Sequence, residues 1–259
     1  MLNDSQRKII TVLVNESLNK AEKHWDNGGH MLASLGFERF NEAMDIKKAE
    51  SEPSKIPGHS TVQDDETVID EFIALVADIR NSSEHLMCAR SEKRSAVSGI
   101  QRVYYETSAL LPALAQAIKF EEGNVTEYLG DGILALFKVD SNNKKDAIYA
   151  AHRAAKNCIG DVRNIVNSTL ENRYSLPALD LGIGVAMSNT IVTLIGLEGE
   201  KHPKAIGECI YRATKLSSGV NKIYIDIQVE SAWPTSKGGK LKFLPRALGG
   251  VDGYLISND

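Results

Sequence analysis

Phe72-Ile73-Ala74-Leu75-Val76-Ala77-Asp78-Ile79-Arg80-Asn81-Ser82-Ser83 is the stretch on which the fold turns. Its first six residues are an unbroken apolar run, as expected of a strand covered on both faces. The run stops at Asp78, and Ser82 and Ser83 are good N-caps for a helix that follows. Downstream, Leu110, Leu111, Leu114, Ala117 and Ile118 recur at three- and four-residue spacings, which predicts a helix over roughly 93–120. Val125–Leu129 and Ile133–Phe137 then flank Gly130-Asp131-Gly132, the pattern of a hairpin with a glycine-rich turn. A second helix is predicted over 144–168, with Ile148, Ala151, Ala155, Cys158, Ile159 and Val162 on its apolar side. Strands are expected at 179–187, 191–195, 222–226, near 241–246 and near 253–257, with a short helix at 206–216. Strand, helix, hairpin, helix, strand is the ferredoxin-like βαββαβ order, so the fold class is α+β.

Upstream, Ile9, Ile10, Leu13, Val14 and Leu18 fit a helical stripe within residues 1–25. Residues 47–68 are polar and hold Pro53, Pro57 and Gly58, a composition that reads as an arm or linker. The expected division is therefore an N-terminal helical extension and arm, 1–68, and a main domain, 69–259.

The 259 residues are 42% apolar and 25% charged, the composition of an ordinary globular protein. A net charge of -4 draws the molecule neither to nucleic acid nor to an anionic membrane. No apolar run approaches the roughly 20 residues of a membrane span, and the charged N-terminus is unlike a signal peptide. Cys88, Cys158 and Cys209 are odd in number and far apart, which argues against a disulfide framework. The histidines show no zinc-ligand spacing. The sequence thus predicts a soluble, cytoplasmic protein that binds neither nucleic acid nor membrane.

Two acidic residues stand out by position. Asp78 ends the most apolar strand, and Asp131 sits in the tight turn of the hairpin expected to lie beside it. Taken singly, Asp78 reads equally as a helix cap and Asp131 as a turn former. Together, with Gly130 and Gly132 permitting close backbone approach, they are a candidate site for hard divalent cations.

Three stretches in order then resemble one family. Residues 72–83 (FIALVADIRNSS) resemble the strand-turn of class III nucleotidyl cyclases that carries the first metal aspartate, and 127–137 (EYLGDGILALF) resemble the hairpin that carries the second. Residues 183–200 (IGVAMSNTIVTLIGLEGE) and 204–218 (KAIGECIYRATKLSS) resemble the later strands and helix of the same domain. The resemblance runs from about residue 71 to 226. It implies a homodimer with composite active sites, in which Asp78, Ile79 and Asp131 hold two Mg²⁺ or Mn²⁺ ions. It also implies that the ribose 3′-oxygen of a nucleoside triphosphate attacks the α-phosphorus, giving a 3′,5′-cyclic nucleotide and pyrophosphate. The turn at Ile79–Ser83, with Ser82 and Ser83, and Lys222 are the implied triphosphate contacts.

Three of the four expected base and transition-state positions depart from both common patterns, and Glu127 follows only one of them. Glu127 stands where adenylyl cyclases carry Lys and guanylyl cyclases Glu, and Lys204 where neither the adenylyl Asp nor the guanylyl Cys appears. Tyr211 replaces the ribose-orienting Asn, and Lys215 replaces the Arg that steadies the departing charge. Lys215 keeps that charge without the planar fork. Glu127 accepting and Lys204 donating suits N3–H and O4 of uracil, but also N1–H and O6 of guanine. The volumes of Tyr211 and Lys204 favour the smaller base. With its bare catalytic domain, short N-terminal helical extension and proline-containing arm, the chain also resembles the pyrimidine cyclases of the Pycsar anti-phage system, whose cyclic UMP or cyclic CMP is read by a separate effector protein. Two alternatives stay open: a guanylyl or adenylyl cyclase, and a catalytically inactive nucleotide-binding dimerisation module.

Overall fold

The computed structural model describes residues 1–33, 51–63, 67–87, 97–235 and 239–258. Parts of the expected arm (47–50, 64–66), Cys88 and the start of the predicted 93–120 helix lie outside them. Five elements come before the resemblance or at its start. Helix α1 spans Asp4–Asp26, strands β1 (Ser51–Ile56) and β2 (His59–Gln63) form a hairpin, β3 is Val68–Ile79, and α2 is Ser82–Met87. There follow α3 (Gly99–Lys119), β4 (Asn124–Tyr128), β5 (Gly132–Lys138), α4 (Lys144–Asn157), α5 (Arg163–Tyr174) and β6 (Leu181–Ile195). The chain closes with β7 (His202–Gly207), α6 (Glu208–Leu216), β8 (Lys222–Asp226), α7 (Ile227–Ser231), β9 (Leu241–Leu248) and β10 (Val251–Asn258).

Strands β3 to β10 make one sheet, in the order β4-β5-β3-β6-β8-β10-β9, with β7 paired to β6. Within it, β4-β5-β3-β6 are mutually antiparallel. With α3 and α4–α5 as the two crossovers, that is the ferredoxin-like βαββαβ arrangement inside an α+β fold, as the order of elements predicts. Strand alternation sends the side chains of β3 to two separate cores. Ile73, Leu75, Ala77 and Ile79 pack with the buried sides of α1, α3, α4 and α5. Phe72, Ala74 and Val76 pack on the other face with Ile56, Val62, Leu134, Leu136, Val192, Leu194, Cys209 and Ala213.

Helix α6 lies on this second face because β6 carries Gly182 and Gly184 on the side that meets it. A Cβ there would stand 1.8 Å from the Ser217 carbonyl oxygen and 2.0 Å from that of Ala213. At the N-terminus, Asn3 and Gln6 cap α1 reciprocally. Asp161 accepts from the Leu2 amide at 2.7 Å and from Arg7 Nε at 3.0 Å, tying α1 to the α4–α5 unit.

The structure differs from expectation in five places. The helix predicted over 144–168 is two α-helices joined through a π turn at Cys158–Val162. The two strands expected at 179–187 and 191–195 are one strand, β6. The short helix begins at Glu208 because 202–207 pair with β6 instead. Residues 51–63, within the presumed linker, form the β1–β2 hairpin. Ser82 and Ser83 lie inside the first turn of α2, where Ser82 turns its hydroxyl to Asp131 rather than to the helix amides. Among the described residues no helix is long and apolar enough to cross a membrane.

Candidate active site

Asp78 and Asp131 come together through strand pairing. Asp78 is register-paired with Gly132 across β3 and β5, so the residue before Gly132 in the turn, Asp131, lies beside it. Gly132 is needed there, since a Cβ would sit 2.7 Å from the Ala77 carbonyl oxygen and 2.8 Å from Asp78 Oδ1. The turn closes with the Leu129 amide donating to the Gly132 carbonyl at 2.8 Å, and Gly130 adopts φ +86, which side-chain-bearing residues avoid. The Ile79 amide donates to the Asp131 carbonyl at 3.2 Å, fixing the turn to the end of β3.

The pair is electrostatically uncomfortable. Burial, then the charge of Asp131, pushes the Asp78 carboxyl up to about 6, against the opposing pull of Arg80. Arg80 Nη1 donates to Asp78 Oδ2 at 3.1 Å and to the Ser217 carbonyl at 3.3 Å. Ser82 Oγ donates to Asp131 Oδ2. The partnership of Arg80 with Asp78 was not legible, because Arg80 stands one residue past the end of β3. Asn81, at φ 59, makes the bend from β3 into α2. Behind it, Glu106, 1% exposed, accepts from Arg102 Nε at 2.6 Å and pairs with His85 Nδ1 at 2.9 Å, anchoring α2 to α3.

Two carboxylates relieved by any cation placed between them, with backbone carbonyls beside them, are a fit donor set for Mg²⁺ or Mn²⁺. Among the described residues no cluster of three or more His, Cys, Asp or Glu side chains exists to hold a metal. A site of two carboxylates leaves coordination positions for water and phosphate oxygens, which is how Mg²⁺ is usually held.

Glu127 and Lys204 also meet, with Lys204 Nζ 3.0 Å from Glu127 Oε1. A β-bulge aims Glu127. Val125 pairs with Ala135, but Glu127 pairs with Leu134, so Thr126 is the extra residue. Without it Glu127 would oppose Ile133, on the helix-covered face; with it Glu127 opposes Leu134, on the second face.

Among the described residues, the other predicted residues make no hydrogen bond or ion pair with the carboxylates. Tyr211, 59% exposed, and Lys215 stand one turn apart on α6, with Lys215 Nζ 5.6 Å from the Tyr211 ring centre. Neither makes a hydrogen bond or ion pair with Asp78 or Asp131 among the described residues. Lys222 is exposed and is register-paired with Gly182, which in turn pairs with Asp78. Two strand spacings, about 10 Å, therefore separate the Asp78 and Lys222 backbones. Ser83 is exposed at the start of α2.

No protein-family model matches the chain, and no curated protein matches it. Solved structures do. The guanylyl cyclase Cya2 is 18% identical, with a TM-score of 0.57 over 74% of this chain and 93% of its own. The adenylyl cyclase CyaB from P. aeruginosa is 15% identical, with a TM-score of 0.58 over 75% of this chain and 97% of its own. The fold is that of a class III nucleotidyl cyclase domain. A dimeric guanylyl cyclase domain of the RhoGC fusion protein from Blastocladiella emersonii is 13% identical, with a TM-score of 0.50 over 74% and 97% of the two chains. At these identities the likeness is one of architecture, and chemistry has to be argued from the residues.

Proposed function

We propose that the chain is a nucleotidyl cyclase that converts a pyrimidine nucleoside triphosphate, UTP before CTP, to its 3′,5′-cyclic monophosphate and pyrophosphate. The observation that carries this reading is the Asp78–Asp131 pair, set by strand register at the end of β3 inside a cyclase fold. Asp78, Ile79 and Asp131 would hold two Mg²⁺ or Mn²⁺ ions. When bound, the ions lower the pKa of the 3′-hydroxyl and neutralise charge on the triphosphate. The 3′-oxygen forms a bond to the α-phosphorus as the bond to pyrophosphate breaks, and the hydroxyl proton passes to solvent. The chain's part is positioning and charge, since phosphoryl transfer asks little else of a protein. Ser82, Ser83 and Lys222 contact the triphosphate.

Glu127 accepts the base N–H and Lys204 donates to the adjacent carbonyl, the two halves of a uracil edge. Among the described residues Tyr211 and Lys215 make no hydrogen bond or ion pair with the carboxylates of their own chain, which fits a homodimer in which they complete the partner's site. There Lys215 steadies the departing charge and Tyr211 narrows the room for a base. The cyclic product serves as an anti-phage second messenger read by a separate effector protein, and the enzyme works in the cytoplasm.

A guanylyl cyclase is the second reading, carried by Glu127, which suits N1–H of guanine equally well. Purified protein incubated with ATP, GTP, CTP and UTP in turn, with Mn²⁺, distinguishes the two by mass spectrometry of the products. The proposal expects cyclic UMP to dominate by at least about tenfold, since an unpaired buried polar group discriminates on that order. Cyclic GMP equal to or above cyclic UMP rejects the pyrimidine assignment.

A further inference from the structure

Glu127 and Lys204 sit on strands that are not paired with each other. β4 is the edge strand beside β5, and β7 pairs with β6, so β5, β3 and β6 all stand between them. Two connections between them stand out. One is their own ion pair, whose side chains are 34% and 39% exposed. An ion pair that wet contributes little and does not fix a spacing. The other is the β1–β2 hairpin, since β1 lies against both β4 and β7 and β2 lies against β6.

The hairpin is built to stay there. Ile56 and Val62 are 4% exposed each and belong to the same buried cluster as Leu134, the cross-strand neighbour of Glu127. Ala205, next to Lys204, packs against that cluster too. The turn end is pinned separately. His59 Nε2 lies 2.7 Å from Asp70 Oδ2, and Lys138 Nζ lies 2.8 Å from the same oxygen. Lys138 and His59 hold the Asp70 carboxyl below its ordinary range. The hairpin also precedes the stretch that resembles the cyclases, which runs from about residue 71.

We propose that the β1–β2 hairpin is the specificity clamp of the base site: through Ile56 and Val62 it sets the separation of β4 from β7, hence of Glu127 from Lys204, and so determines which base the pair accepts. The inference rests on the reading that Glu127 and Lys204 face the base. Ile56 and Val62 act through those two residues and are positioning residues.

The test uses the full chain carrying I56A/V62A, with the volume-conserving I56V/V62I as its control. Hydrogen exchange reports the clamp directly. The alanine pair is expected to speed exchange of the β4 and β7 amides by about tenfold or more and to leave β5 unmoved, as local opening requires. Selectivity is read as the ratio of affinities for 3′-deoxy-UTP and 3′-deoxy-GTP, which lack the attacking hydroxyl and do not turn over. That ratio is expected to fall at least about threefold in I56A/V62A and to hold in I56V/V62I. Faster exchange with an unchanged ratio overturns the clamp while leaving the cyclase reading standing. Wild-type protein that binds neither analogue overturns the nucleotide reading and the selectivity claim with it. If I56A/V62A does not fold, H59A loosens the turn end instead, and the same two readouts decide.

Discussion

Asp226 shows at a single residue how this fold holds charge. Its side chain is fully buried and caps α7, with Oδ1 accepting from the Val229 amide at 3.0 Å. Among the described residues Oδ2 has no partner within hydrogen-bonding geometry. Burial pushes the carboxyl up to about 6, against the pull of backbone amides and Arg212. Because the folded-state pKa is raised, the protonated form is favoured in the native state. The stability this gives is full below the unfolded value of 3.8 and is lost as pH rises through about 6. Asp226→Asn keeps the capping oxygen and removes the charge. It is expected to be more stable than wild type at pH 8 by roughly 1–3 kcal/mol, a gain that shrinks to nothing near pH 4. Urea midpoints at the two pH values check this, and an equal difference at both means the charge is not the cause. Asp78 carries a similar lift, but with a second carboxylate beside it rather than a helix to cap. A lone buried Asp and a clustered one look alike in sequence, and only the neighbours separate them.

At the scale of elements, the seat of α6 is the sharpest test. Gly184→Ala puts a methyl group 2.0 Å from the Ala213 carbonyl, against backbone that cannot rotate away. It is expected to destabilise the protein by about 1–3 kcal/mol and to displace the helix that carries Tyr211 and Lys215. Stability unchanged in urea would mean that α6 does not lie so close. The elements the sequence made legible were those with one strong signal. β3 was an apolar run, and the β4–β5 hairpin had glycines on both sides of Asp131. The illegible ones had mixed signals. Ser188-Asn189-Thr190 reads as a turn, yet Ser188 Oγ accepts from the Cys209 amide at 2.9 Å, so the sheet supplies the first turn of α6 with a hydrogen-bond acceptor and β6 runs on unbroken. The β1–β2 hairpin buries Ile56 and Val62 amid polar residues and prolines, too little for a periodicity to show. The bulge at Thr126 has no sequence signature, although it decides which face Glu127 occupies.

At the scale of the molecule, the account needs two copies of the chain. The carboxylates lie at the end of β3, while on α6 Tyr211 is exposed and Lys215 is half-buried beside the β9–β10 turn. If each site borrows α6 from its partner, a mixture of Asp78→Ala and Lys215→Ala proteins is expected to regain up to about a quarter of wild-type activity, because only one of the two sites in a mixed dimer is whole. A mixture as inactive as either parent contradicts the shared site. The carboxylate pair was legible in the sequence through two aspartates and the glycines that flank Asp131. The meeting of Glu127 with Lys204 was not legible, because it depends on contacts between distant segments, among them those of 51–63 with β4, β6 and β7. The most direct measurement follows UTP with Mn²⁺ in wild-type protein and in Asp131→Asn, counting cyclic UMP and pyrophosphate by mass spectrometry. The account predicts the two products in equal amounts from wild type and a loss of a hundredfold or more, on the order expected when charge stabilisation is removed, in the variant. No cyclic product from any triphosphate with folded wild-type protein, or an undiminished yield from Asp131→Asn, contradicts it.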